Sequence, residues 1–128
     1  MFKIHNPSKV NKPSAAYSHG IEVAPQARWL HVSGQIGVAA DGRAGANFEQ
    51  QAEIAWRNLL AVLESADMSV ENLVKVTSFL TSPDNIVAYR AIRDRFQSGH
   101  RPASTLVVVA GLASPQWLIE VEATAAKA

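Results

Sequence analysis

Two carboxylates, Glu120 and Glu122, lie in the stretch LIEVEATA near the C-terminus, among neighbours that are almost all apolar. In a strand, side chains i and i+2 share a face, so both project to the same side. If both were buried and ionised they would repel each other. A single carboxyl in a partly dry cleft instead holds its proton more tightly and can orient or deprotonate a water, which is how general-base sites are made. The ordinary alternative stays open, because carboxylates on a strand face mostly meet solvent or a surface arginine. Tyr17, Ser33, Gly34 and Thr105 are candidates for a surrounding polar wall. Each also has a structural explanation: Tyr17 as a core aromatic with a bonded hydroxyl, Gly34 as a strand position that another backbone approaches closely.

Other chemistries are weakly represented. There is no Gly-rich phosphate loop, no G-x-S-x-G and no H-E-x-x-H, and His5, His19, His31 and His100 lack metal-ligand spacing, so neither a metal nor a cofactor is expected. The absence of Cys removes disulfides and thiolate nucleophiles and fits a reducing compartment, with the cytoplasm as the expectation. Arg90, Arg93, Arg95, His100 and Arg101 form the one basic cluster, but Asp94 interrupts it and no aromatic platform is interleaved. It reads as a charged helix face in water, and with a net charge of +1 nucleic acid is not an expected partner. No segment approaches the ~20 apolar residues of a membrane span, and the N-terminus lacks a signal peptide's apolar core.

The elements that must position these residues follow from periodicity. A chain of 128 residues suits one domain, 1–128. Phe2–His5 reads as a short strand; YSHGIEVAP and RWLHVSGQIGV read as two more, the latter with Leu30, Val32 and Ile36 alternating against His31, Ser33 and Gln35. Asn47, followed three residues later by Gln50, opens a helix from Phe48 to about Ala66 with apolar residues at spacings of three and four. Val74–Thr81 returns to period two. Ser82-Pro83-Asp84 starts a second helix with Ile86, Tyr89, Ile92 or Arg93, and Phe96 on its stripe, and Gly99 ends it. Leu106–Val109 and WLIEVEATA complete the order β-β-β-α-β-α-β-β. Two helices, each with a single apolar stripe, cover one face of a mixed sheet, an α+β architecture. The other face needs a cover that a further copy of the chain would supply.

The segments YSHG, VSGQIG, QQAEIAWRNLLAVLESA, LVKVTSFLTS, RPASTLVVVAGLA and LIEVEATA occur in the order and spacing of the RidA/YjgF family, also labelled endoribonuclease L-PSP-like or translation-initiation-inhibitor-like. The chain resembles that family from about Asn6 to Ala125. The resemblance implies a chorismate-mutase-like α+β fold and a homotrimer with a small-molecule cleft at each of three subunit boundaries. For the deaminating members it also implies hydrolysis of enamines and imines such as 2-aminoacrylate to 2-oxo acids and ammonia. It assigns Tyr17, Ser33 and Gly34 to the cleft and Glu120 to positioning of the water.

Two positions depart from the family pattern. The arginine that clamps a substrate carboxylate directly follows P-A in the family, and here that residue is Ser104. The asparagine expected three residues before Tyr89 is also missing: Ile86 stands there, with Asn85 displaced by one. Serine offers one neutral hydrogen bond where arginine offers a charged fork, so efficient 2-aminoacrylate deamination is expected to be weak or absent. Arg101 is an imperfect substitute, since three extended residues span roughly 10 Å and odd spacing turns its side chain to the opposite face. Two readings remain. One is an enzyme acting on the C=N bond of a small metabolite, with Glu120 holding water and Tyr17, Ser33, Ser104 and Thr105 shaping the pocket. The other is a non-catalytic trimer that binds a small oxo compound or serves a protein or RNA partner. Ribonuclease activity is the less supported, because the chain has neither a suitably spaced His pair nor a strong basic groove.

Overall fold

The computed structural model describes residues 1–128. Its elements are β1 (Phe2–His5), β2 (Gly20–Val23), β3 (Arg28–Ile36), α1 (Phe48–Ser65), β4 (Leu73–Leu80), α2 (Ile86–Gln97), β5 (Ala103–Val108) and β6 (Ile119–Lys127), in the order the periodicity predicts. Four strands form one mixed sheet in the order β3-β6-β4-β5. β6 runs antiparallel to both its neighbours, and β4 and β5 are parallel, joined by α2. β1 and β2 pair separately as an antiparallel ribbon. No helix is long and apolar enough to cross a membrane.

Local chemistry explains where the helices begin and end. Asn47 Oδ1 accepts from the Gln50 amide at 2.9 Å, as its spacing suggests, while Gln50 Oε1 reaches back to the Ala46 amide rather than to Asn47. The buried stripe of α1 carries Ala52, Ala55, Trp56, Leu59 and Leu63. Full burial of residues such as Leu59 and Leu63 contributes about 2 kcal/mol each. Before α2, Ser82 Oγ accepts from the Asp84 amide at 3.2 Å and Pro83 opens a single 3-10 turn. The helix stops where Ser98 and Gly99 take left-handed φ values of 50° and 88°.

The pairing register sorts the strands into two faces. Val76, Ser78 and Leu80 of β4 and Val121, Ala123 and Ala125 of β6 are buried beneath the helices. Lys75, Thr77 and Phe79, together with Glu120, Glu122 and Thr124, occupy the opposite face, which carries no helix. Trp29 and Val107 are 51% and 38% exposed, large for apolar side chains, so this chain alone leaves that face open.

β3 departs from the simple alternation. Val32 pairs with Ala123 but Gln35 pairs with Val121, so three steps on β3 match two on β6. The extra residue is a β-bulge at Ser33-Gly34. It turns Gln35 to the face of Val121 and Ile36 to the face of Glu120, so the expected sharing of a face by Ser33 and Gln35 does not occur.

Candidate functional site

The candidate residues fall into two groups on opposite sides of the sheet. On the open face, Glu120 is half-buried beside Phe79 of β4 and Ile36 of β3, and its carboxylate lies over Gly34. A Cβ at Gly34 would overlap that carboxylate, so the close approach predicted at this glycine is made by a side chain, not by another backbone. Ser33 is exposed next to it in the bulge. Glu122 is exposed beside Thr77, so the two glutamates share a face but not an environment. Thr105 is also on this side, where its Oγ1 accepts from Lys75 Nζ at 2.6 Å.

The second group lies at the β5 edge, on the helix side. Ser104 pairs with Val76 and so faces the helix layer, opposite in direction to Thr105. The chain at Ser18 is stitched alongside this strand: its amide donates to Pro102 O at 3.0 Å and its Oγ to Arg101 O at 2.6 Å. Gln97 Nε2, at the end of α2, adds a bond to Ala16 O at 3.2 Å. These contacts bring Tyr17 to Ser104. The two line a pocket of about 200 Å³ with Ser14, Ala15, Leu106, Arg90 and Arg93.

Within one chain, therefore, Tyr17 joins Ser104, and Ser33 and Gly34 join Glu120. Among the basic residues of α2, the sequence placed Arg93 alone on the apolar stripe, as an alternative to Ile92. It is not part of a solvated helix face: it is 3% exposed and turned toward the sheet. The usable signal was its place in the stripe with Tyr89 and Phe96, four and three residues away. Arg101 is exposed and does not line the pocket.

Behind this edge, Tyr89 bridges the helices to the sheet. Trp56 Nε1 donates to Tyr89 Oη at 3.2 Å, and Tyr89 Oη is 2.5 Å from Ser78 Oγ. Burial pushes the Tyr89 phenol above its ordinary pKa, so the hydroxyl is a neutral structural link.

Comparison with known proteins bears on this arrangement. The sequence model of the family described as Endoribonuclease L-PSP matches residues 8–127. A solved Rid family protein of unknown function, YyfB from Yersinia pestis, superposes with a TM-score of 0.87 at 32% identity, covering 97% of each chain. This chain belongs to the RidA/YjgF family. The RidA/YjgF fold recurs in the YjgF gene product of Escherichia coli, with a TM-score of 0.74 at 28% identity over 91% of each chain. A RutC family protein of Pasteurella multocida is 33% identical over 123 residues, 92% of this chain and 94% of that one. The bulged S-G-Q strand, the edge at Pro102–Ser104 and the last strand with Glu120, on which the resemblance rests, all lie within the matched residues of this RidA/YjgF protein.

Proposed function

We propose that this RidA/YjgF protein hydrolyses a small imine or enamine to an oxo compound and ammonia, in a cleft shared between copies of the chain in a cytoplasmic homotrimer. The observation that carries the reading is the half-buried Glu120 carboxylate on an otherwise uncovered sheet face, lying across Gly34. Tyr17 and Ser104 open toward the other side of the sheet, so a cleft using both groups takes one from each of two copies. In the proposed step Glu120 accepts a proton from water as the oxygen bonds to the C=N carbon. The C=N electron pair moves to nitrogen, which takes that proton back from Glu120 to give the carbinolamine. The proton of the new hydroxyl then passes through Glu120 to nitrogen as the C=O bond forms and the C–N bond breaks, and ammonia leaves. Tyr17, Ser33 and Thr105 contribute hydroxyls to the wall.

The test is release of ammonia and oxo acid from freshly generated imines of several amino acids, wild type beside Glu120→Gln. Turnover lost in Glu120→Gln supports the reading; turnover unchanged removes the water-positioning role, and a monomer by light scattering removes the shared cleft. Ser104, where the resemblance implies an arginine, favours a second reading, a trimer that binds a small oxo compound without turning it over. Ligand binding with no turnover in any imine would select it.

A further inference from the structure

We infer that Arg93, with Arg90 beside it on α2, forms a carboxylate-binding subsite in the pocket at Ser104. Arg93 is 3% exposed. Its Nε donates to Asp94 Oδ1 at 3.1 Å; its Nη2, 3.0 Å from the same oxygen, makes no hydrogen bond and is sealed from solvent. Buried polar groups are almost always hydrogen-bonded, and an incompletely paired guanidinium is a costly exception that calls for a partner.

The lining supplies the rest of an anion site. Arg90 is exposed one helical turn before Arg93, and Ser14, Tyr17 and Ser104 carry hydroxyls. No acidic side chain lines the pocket, and Asp94, its side chain 46% exposed, offers Arg93 a single oxygen. A guanidinium fork matches a planar carboxylate, and a pocket of about 200 Å³ suits a small acid. Larger hollows, such as that of about 520 Å³ around Phe2, Ile4 and His100, hold no buried arginine. The charge missing at Ser104 is thus supplied from the helix across the same pocket, and carboxylate-bearing ligands remain admissible. The inference rests on the proposed function only in taking that carboxylate to be the substrate's own.

Titration of the intact protein with pyruvate, with pyruvamide, its neutral isostere, and with inorganic phosphate, followed by calorimetry and amide NMR, tests it. Pyruvate is expected to bind about tenfold or more tightly than pyruvamide, with shifts at Tyr17 and Ser104. Arg93→Met is expected to weaken pyruvate by about 10–100-fold, and the exposed Arg90→Gln by a few-fold. No pyruvate binding, equal affinity for pyruvate and pyruvamide, or unchanged affinity in both variants overturns the site, and phosphate binding tighter than pyruvate overturns its assignment to carboxylates. Should Arg93→Met not fold, Arg90→Gln and the pyruvamide comparison decide. Pyruvate binding that depends on these arginines in a protein without imine turnover would leave this subsite standing while the deaminase reading fails.

Discussion

The Glu120 carboxylate occupies the space that a side chain at Gly34 would fill, so the direction of that carboxylate is set by the absence of a Cβ on the neighbouring strand. The bulge in β3 makes this possible by pairing Ile36, not Gln35, with Glu120. A methyl group at Gly34 meets the flexible end of Glu120, which can swing away, rather than rigid backbone. Gly34→Ala is therefore expected to reduce imine turnover by about 10–100-fold with little change in melting temperature, since misplacing a catalytic group by about 1 Å costs that much. Kinetics and thermal melts on one preparation check both halves.

Glu120→Gln keeps the shape and removes the basicity. If Glu120 takes the proton from water, kcat falls by about 10²–10⁴-fold while the affinity for pyruvate is retained. Parallel turnover and titration data check it; a fall in affinity equal to the fall in kcat would make Glu120 a binding residue.

Ser104→Arg discriminates between sources of charge. With Arg93 already lining the pocket, a second buried guanidinium adds like-charge repulsion and takes up space in a pocket of about 200 Å³. Pyruvate affinity and turnover are expected to stay level or fall about tenfold. A clear rise in both would mean that the pocket lacks a carboxylate partner and that Arg93 does not serve as one.

Tyr89→Phe deletes the hydroxyl between Trp56 and Ser78. Leaving those buried groups unpaired costs about 1–3 kcal/mol, measurable by denaturant unfolding. The wild type has a pH signature as well. Burial raises the folded Tyr89 pKa above its ordinary value of 10.0, so above pH 10 the unfolded chain loses this proton first. The native state then binds more protons than the unfolded one, and stability present below pH 10 declines as the pH rises beyond it. That part of the alkaline decline should be absent in Tyr89→Phe.

Gln51 ties α1 to the segment leading into β6: its Nε2 donates to Gly45 O at 3.2 Å and Gln116 O at 3.1 Å, and its Oε1 accepts from Leu118 N at 2.9 Å. Gln51→Ala removes all three bonds at a buried position and is expected to destabilise the fold by about 3 kcal/mol. Because Leu118 is two residues before Glu120, turnover in the folded fraction is expected to fall too, which a specific-activity measurement corrected for folded protein reads.

Much of this was legible in the linear chain because it depends on local chemistry. Asn47 and Gln50 mark the start of α1, and Ser82-Pro83 and Gly99 bracket α2. Alternation along LIEVEATA separates Ile119, Val121 and Ala123 from Glu120 and Glu122, as in β6. β5, by contrast, begins at Ala103 rather than Leu106 because its first residues pair with Lys75, Val76 and Thr77 of β4, and its apolar run alone does not reveal that parallel register.

The site residues divide in the same way. That Glu120 shares a strand face with Glu122, and that Ser104 stands where the family pattern has arginine, were determined by the sequence itself, through the two-residue period of a strand and the identity of one side chain. Tertiary structure alone decided that Glu122 meets solvent while Glu120 lies over Gly34, that the β3 bulge re-aims Gln35 and Ile36, and that Arg93 leaves its basic neighbours for the interior. The physical reason is common to all three. A side chain's environment is set by the strand or helix packed against it, and one extra residue in a distant pairing, or one turn of a helix toward the sheet, changes that environment without altering the local sequence.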